Sequence, residues 1–180
     1  GAEEPQHQVE LLRQFQRAAV FRVAVADLSG RLPIMKVSDR LTDIAELIVQ
    51  EALDLAWAQI TARHGVPQRD GDEGSRPAGL IVVAYGKFGG YELGYGSDLD
   101  LVVLYASDGV TRGPTVASAA TYFDQLVERV HLLLTSITRA GQAFRMDFRL
   151  RQGGKGTSLA HSLHSLEAYL AEEAMLWERQ

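Results

Sequence analysis

The chain reads as an α+β domain in which helices precede and flank a small mixed sheet. Three observations predict this. The first third carries apolar residues every three to four positions, the spacing of one buried helix face. Two short apolar runs, "LIVVAYG" (Leu80 to Gly86) and "DLDLVVLY" (Asp98 to Tyr105), then follow each other across a glycine-rich turn, and they have the length of strands. Last, "AFRMDFRLR" (Ala143 to Arg151) alternates strictly between apolar and polar, the two-residue period of a strand with one buried face. The order is helix, helix, strand, strand, helix, strand, helix.

The elements follow in turn. Val9 to Leu28 is rich in helix formers, with apolar residues at Leu12, Phe15, Ala19 and Val23. "SGRLP" breaks that helix. Ser38 is placed to cap a second helix from Asp39 to His64, with Asp39 in its first turn and Gly65 as the stop. Leu41, Ile44, Ile48, Leu55 and Ala56 lie along one side of it. Both read as packing helices. Gly65 to Gly79 is a loop of turn formers and charges. "LIVVAYG" suits a strand buried on both faces. "FGGYELGYGS" is a turn, with one helical turn expected around Tyr91 to Leu93. From Thr115 to Arg139, apolar residues at Ala119, Tyr122, Phe123, Leu126, Val130, Leu133 and Ile137 predict a helix closed by Gly141. "GGKG" is a loop, and Ser165 can cap a last helix running to Gln180. In domain terms, residues 1–64 form a helical segment packed on the main domain, 65–79 a loop, and 80–180 that domain itself. Gly1 ahead of "AEEPQ" has the look of a cloning scar, and the helical pattern still running at "LWERQ" suggests a fragment of a longer protein.

Composition narrows the chemistry. The chain has 180 residues, 46% hydrophobic, enough for a sizeable core. Its net charge of −5 gives no electrostatic reason to bind nucleic acid irrespective of sequence. Cysteine is absent, which removes disulfides and thiol nucleophiles. No apolar stretch reaches membrane-spanning length and no signal peptide opens the chain, so a cytoplasmic location is expected. An acidic protein that handles nucleotides needs metal ions or local arginines to meet the phosphates.

"YGKFGGYELGYGSDLDLVVLY" (Tyr85 to Tyr105) supplies the candidate site. Aspartate and glycine are poor strand residues, yet both crowd the start of a strand. Asp98 and Asp100 are two apart and share a face, roughly 6.5–7 Å from one another. Paired carboxylates repel unless a cation lies between them. Metal ions held by such a pair are the usual clamp for in-line displacement at phosphorus. An Asp-x-Asp at a solvated strand end is also common without any function. The strand "FRMDFRLR" sharpens the signal. Phe144, Met146, Phe148 and Leu150 fall on one face; Arg145, Asp147, Arg149 and Arg151 fall on the other. Beside Asp98 and Asp100, Asp147 would add a third carboxylate and the arginines would meet phosphate oxygens. The competing reading is an aspartate that pairs only with its own neighbours. The glycine turn lets backbone N–H groups approach phosphates. It is not a P-loop, since Phe88 follows Gly86-Lys87, and it lacks the dinucleotide spacing.

These residues resemble the nucleotidyltransferase domain of the bacterial glutamine synthetase adenylyltransferase/adenylyl-removing enzyme family, within the polymerase-β-like nucleotidyltransferases. The likeness rests on "AYGKFGGYELGYGSDLDLVVLY", "LPIMKVSDRLTDIAE", "MDFRLR" and "WERQ", and runs from about Val9 onward. The resemblance implies metal-binding and catalytic roles for Asp98, Asp100 and Asp147. It implies a nucleotide-side loop of Gly89, Gly90 and Ser97, and it matches Arg149 and Arg151 to the family's arginine pair. Two departures stand out: Gln152 where the family commonly has proline, and Thr157 in place of a glycine.

The family carries two homologous halves, one adding AMP to a tyrosine of glutamine synthetase and one removing it with phosphate. "PIMKVSDRLT" with "ELGYGSDLDL" looks like the adding, carboxy-terminal half. The resemblance implies ATP as substrate, two Mg²⁺ or Mn²⁺ ions, glutamine synthetase as target and a trimeric nitrogen-signalling protein as regulator. The alternatives are the phosphorolytic half and a nucleotide-sensing or docking module without catalysis. Elsewhere, His161 and His164 read as surface residues, His131 as structural, Glu92 as a cap for its own turn and Trp177 as core. Lys87 suits phosphate or solvent equally.

Overall fold

The structure is a computed structural model that describes residues 3–68, 78–106, 108–139, 141–147 and 158–172. The expected α+β character is present: five helices and a four-stranded sheet among the described residues. The elements are α1 (Glu3–Leu28), α2 (Ile34–His64), β1 (Leu80–Tyr85), α3 (Gly86–Gly89), β2 (Leu99–Tyr105), α4 (Ala119–Thr135), β3 (Met146–Asp147), β4 (Ala160–Ser162) and α5 (Leu163–Glu172). The sheet runs β1-β2-β3, and β4 also pairs with β2. Both β3 and β4 are parallel to β2, β3 at its first residues and β4 at its last. No helix among the described residues is long and apolar enough to cross a membrane.

The chain contacts divide into two units. One comprises residues 1–55, 84–100 and 129–147, the other 56–83, 101–128 and 148–180. In the first, α2 buries Val37, Leu41, Ala45, Ile48, Val49 and Ala52, a stripe at helical spacing. Against the expected stripe on α1, Phe15 is exposed while Arg13 is fully buried. The inward face is rotated by about a residue because Arg13 ends α4: its Nη2 donates to the Leu133 carbonyl at 2.6 Å. The last carbonyls of a helix have no partner within it. Here Ser136 N–H serves Leu132, Arg13 serves Leu133 and Phe144 N–H serves Leu134.

In the second unit, β2 buries Leu101 to Tyr105 without a break. Trp57, Tyr105, Tyr122 and Phe123 form an aromatic cluster, with Tyr105 stacked on Phe123 at 4.9 Å between centroids. Asp124 anchors the start of β4, accepting from Ser158 Oγ at 2.6 Å and from the N–H groups of Leu159 and Ala160 at 2.8 and 3.1 Å. His64 closes α2 with Nδ1 2.8 Å from the Thr115 carbonyl and Nε2 3.0 Å from Gln125 Oε1.

Several expectations need correction. α1 begins at Glu3 rather than Val9. α2 begins at Ile34 rather than Asp39, because Pro33, with its fixed φ, accepts from Lys36 and Val37 and opens the first turn ahead of Ser38. β1 is only partly buried, with Ile81 46% exposed, as befits the end of a sheet path rather than its centre. The helical turn in the glycine loop lies at Gly86–Gly89, not at Tyr91 to Leu93, where Tyr91 takes φ 57. α4 spans Ala119–Thr135, started by Ser118 Oγ accepting from Thr121 N–H, and Ile137 lies beyond it at 84% exposure. β4 was not foreseen. It buries His161, which is therefore not a surface residue, whereas His164 is exposed. Ser162, not Ser165, caps α5, accepting from Ser165 N–H at 3.1 Å. Phe148, Leu150, Gln152, Thr157, Trp177 and the "GGKG" loop lie outside the described residues.

Candidate active site

The site is built within the first unit, where β2 starts beside β3. The register pairs Leu99 with Met146 and Asp100 with Asp147, and Leu99 N–H donates to the Arg145 carbonyl at 2.9 Å. Directly paired residues of adjacent strands point to the same face. Leu99, fully buried, holds one face, so Asp100 and Asp147 rise together from the other, about 4.8 Å apart at the strand spacing. Both are half-buried. One rung earlier on that face, Asp98 meets Arg145, with Arg145 Nε donating to Asp98 Oδ1 at 2.6 Å. The result is a two-by-two patch: Asp98 with Arg145, then Asp100 with Asp147.

The glycine turn packs against this patch. Gly86 has φ 54, and a Cβ there would run into Asp100 Oδ2. A side chain at Gly89 would strike the Ala84 carbonyl, so this glycine is required by the turn itself as much as by any ligand. A side chain at Gly90 would come within 3.3 Å of the Gly86 carbonyl. Ser97 does not reach outward: its Oγ accepts from Gly94 N–H at 3.0 Å, closing the turn that presents Asp98.

Two tyrosines fasten this loop to the helices. Tyr91 Oη donates to Glu46 Oε1 on α2 at 2.8 Å, and Tyr95 Oη donates to Asp27 Oδ2 on α1 at 3.0 Å. The bond to Glu46, then its charge, holds the Tyr91 phenol above its ordinary range. Neither strap was visible in the sequence, because each joins residues far apart in the chain. Beside the loop opens a cavity of ≈ 370 Å³, bordered by Gln16, Val20, Leu41, Leu93, Phe144 and Arg145 among others.

Of the predicted site residues, Asp100 and Asp147 stand side by side, and Asp98, on the same face, is paired with Arg145. Among the described residues no three histidine or carboxylate groups are gathered closely enough to hold a metal ion. The donor set still suits a hard divalent cation, since it is all carboxylate oxygen and two of its members share one face on adjoining strands. Gly89, Gly90 and Ser97 shape the turn, and Arg149 and Arg151 lie outside the described residues. Arg145, which the sequence showed only as one of a row of arginines, is the charged group that enters the site.

The family model described as glutamate-ammonia ligase adenylyltransferase matches residues 2–180. A bifunctional glutamine synthetase adenylyltransferase/adenylyl-removing enzyme from Methylococcus capsulatus is 45% identical over 172 residues, covering 94% of this chain and 18% of the relative. One from Pseudomonas putida is 45% identical over 177 residues, covering 97% and 18%. Another from Shewanella frigidimarina is 39% identical over 177 residues, again covering 97% and 18%. The chain thus spans less than a fifth of the length of these relatives.

Proposed function

This chain belongs to the glutamate-ammonia ligase adenylyltransferase family, and from that premise we propose that it transfers AMP from ATP to a tyrosine hydroxyl of glutamine synthetase, releasing pyrophosphate. The observation that carries the reading is the register of Asp100 opposite Asp147, with Asp98 one rung away on the same face. Such carboxylates destabilise a sheet edge unless they hold cations.

Asp98, Asp100 and Asp147 are the residues that would hold two Mg²⁺ or Mn²⁺ ions. When bound, such ions neutralise charge at the transferring phosphorus and lower the pKa of an attacking hydroxyl. Asp147 would accept the proton of the incoming tyrosine, whose ordinary pKa near 10 makes assistance useful at neutral pH. Gly86, without a side chain, leaves the Asp100 carboxylate room against the turn. Gly89 and Gly90 keep that turn tight on the nucleotide side, and Ser97 holds the loop that presents Asp98. Arg149 and Arg151 are assigned to phosphate oxygens. Regulation by a trimeric nitrogen-signalling protein, and a cytoplasmic setting, belong to the same reading.

The test is the direction of chemistry. Intact protein incubated with labelled ATP, Mg²⁺ and unmodified glutamine synthetase should place AMP on the synthetase and release pyrophosphate. Phosphate-dependent loss of AMP from modified synthetase, without the forward reaction, would assign the chain to the removing half. Neither reaction, with nucleotide binding retained, would leave a sensing or docking module.

A further inference from the structure

We propose that Arg145 is a ligand for the nucleotide's phosphates, held in reserve by Asp98: its guanidinium neutralises Asp98 until a divalent cation takes that carboxylate, and then turns to an oxygen of the bound triphosphate. The inference rests on the metal site proposed above and adds to it a residue that site does not include.

The geometry sets up a competition. Arg145 Nε lies 2.6 Å from Asp98 Oδ1, and its Nη2 donates to the Gly96 carbonyl at 3.4 Å. A divalent ion held by the Asp98 carboxylate would repel the guanidinium beside it and weaken that pair. The exchange is cheap. Both partners are exposed, 68% for Arg145 and 45% for Asp98, and exposed pairs contribute only about 0.2–1 kcal/mol.

The freed guanidinium stays in the site. The Leu99 N–H bond to the Arg145 carbonyl pins its backbone, and the register keeps its side chain on the face of Asp100 and Asp147. It is 68% exposed, so its guanidinium can reorient over that face without displacing packed side chains. Charge favours the move, because three carboxylates and a triphosphate bring more negative charge than two divalent ions neutralise. A planar guanidinium with several N–H donors suits phosphate oxygens. Asp98 thus links the two events: a metal-free site keeps its arginine away from phosphate, and a metal-loaded one presents it.

The test compares Arg145→Met with wild type in the intact protein, measuring Mn²⁺ binding by calorimetry without nucleotide, and then binding of a non-hydrolysable ATP analogue at saturating Mn²⁺. Removing the competing cation should tighten Mn²⁺ binding about 1.4- to 5-fold, the equivalent of about 0.2–1 kcal/mol. Losing a charge-assisted bond to phosphate should weaken the analogue by about tenfold or more. Arg145→Lys should fall between the two proteins in both measurements. If wild type and Asp100→Asn bind Mn²⁺ equally, the metal site itself is wrong and this assignment goes with it. If Asp100→Asn loses Mn²⁺ while Arg145→Met matches wild type in both affinities, the metal site stands and only the role of Arg145 is refuted.

Discussion

Asp100 and Asp147 lie directly opposite each other in a parallel strand pair, and both are half-buried. Like charges so placed oppose sheet formation. A residue whose charge works against the fold is best explained by what the charge binds. Replacing Asp100 by Asn should therefore leave the metal-free thermal midpoint unchanged or raised, and cut AMP transfer by about 100-fold or more, beyond what loss of a residue supporting a metal ligand costs. Calorimetry and a labelled-ATP assay on the same preparation check both halves. A variant that unfolds earlier in parallel with its lost activity would show that Asp100 serves the fold.

Gly86 bears on the same carboxylate from the turn. At φ 54 an alanine costs about 1–2 kcal/mol, and its Cβ would run into Asp100 Oδ2. Gly86→Ala should lower stability by that modest amount and weaken Mn²⁺ binding, because the carboxylate must turn away. Gly96→Ala, with φ 71 but nothing within 4 Å of the new Cβ, should carry a similar stability cost and leave Mn²⁺ affinity near wild type. Equal Mn²⁺ affinities in the two variants would refute the contact.

The longer helices were legible from their periodic spacing, and the two principal strands from short apolar runs of strand length. β3 was found beside β2 as expected, with Asp147 paired to Asp100. What escaped depends on partners distant in sequence. β4 is three residues long and is held by Asp124, thirty-odd positions earlier, so nothing in "AHS" announces a strand. Arg13 falls between the apolar positions of α1, and nothing in its neighbours marks it as buried. Only the unpaired carbonyl of Leu133 explains why it is inside. The pairing of Asp98 with Arg145 likewise appears only once the register of β2 and β3 is known.

Arg13 offers a test of how that burial is balanced. One N–H group serves Leu133, while Nε and Nη1 are buried with no hydrogen-bond partner among the described residues. Burial lowers its pKa, opposed in part by Glu10. The charge is costly to bury, and the bond and the packing of its aliphatic stem are what repay it. Arg13→Met keeps the stem and removes the unpaired donors but leaves the Leu133 carbonyl without its partner, and should cost about 1–3 kcal/mol. Arg13→Ala leaves both a cavity and an unpaired carbonyl, and should cost about 3–5 kcal/mol. Urea unfolding of the two variants decides it. Equal losses would mean that the guanidinium itself, not its stem, holds α1 in place.

Tyr105 makes stability depend on alkaline pH. The residue is only 4% exposed, its ring stacks on Phe123 at 4.9 Å, and its hydroxyl donates to Asp108 Oδ1 at 3.2 Å. Burial first, then the charge of Asp108, push its pKa up to about 12. A phenolate there would give up hydration and face a carboxylate, so the folded state favours the protonated form. An unfolded tyrosine titrates near 10. The folded pKa is the higher one, so this stabilisation is whole below about pH 10 and is lost as pH rises through about 12. A difference of about two pH units corresponds to about 2–3 kcal/mol at most. Tyr105→Phe keeps the stacked ring and removes the titration. At pH 8 it should be less stable by about 0.5–1.5 kcal/mol, the worth of the lost hydrogen bond. Between pH 10 and 12 wild type should lose stability faster, and the gap should close or reverse. Urea unfolding at pH 8, 10 and 11.5 measures it. A gap that stays constant across that range would show that the Tyr105 phenol ionises no harder in the folded protein than in the unfolded chain.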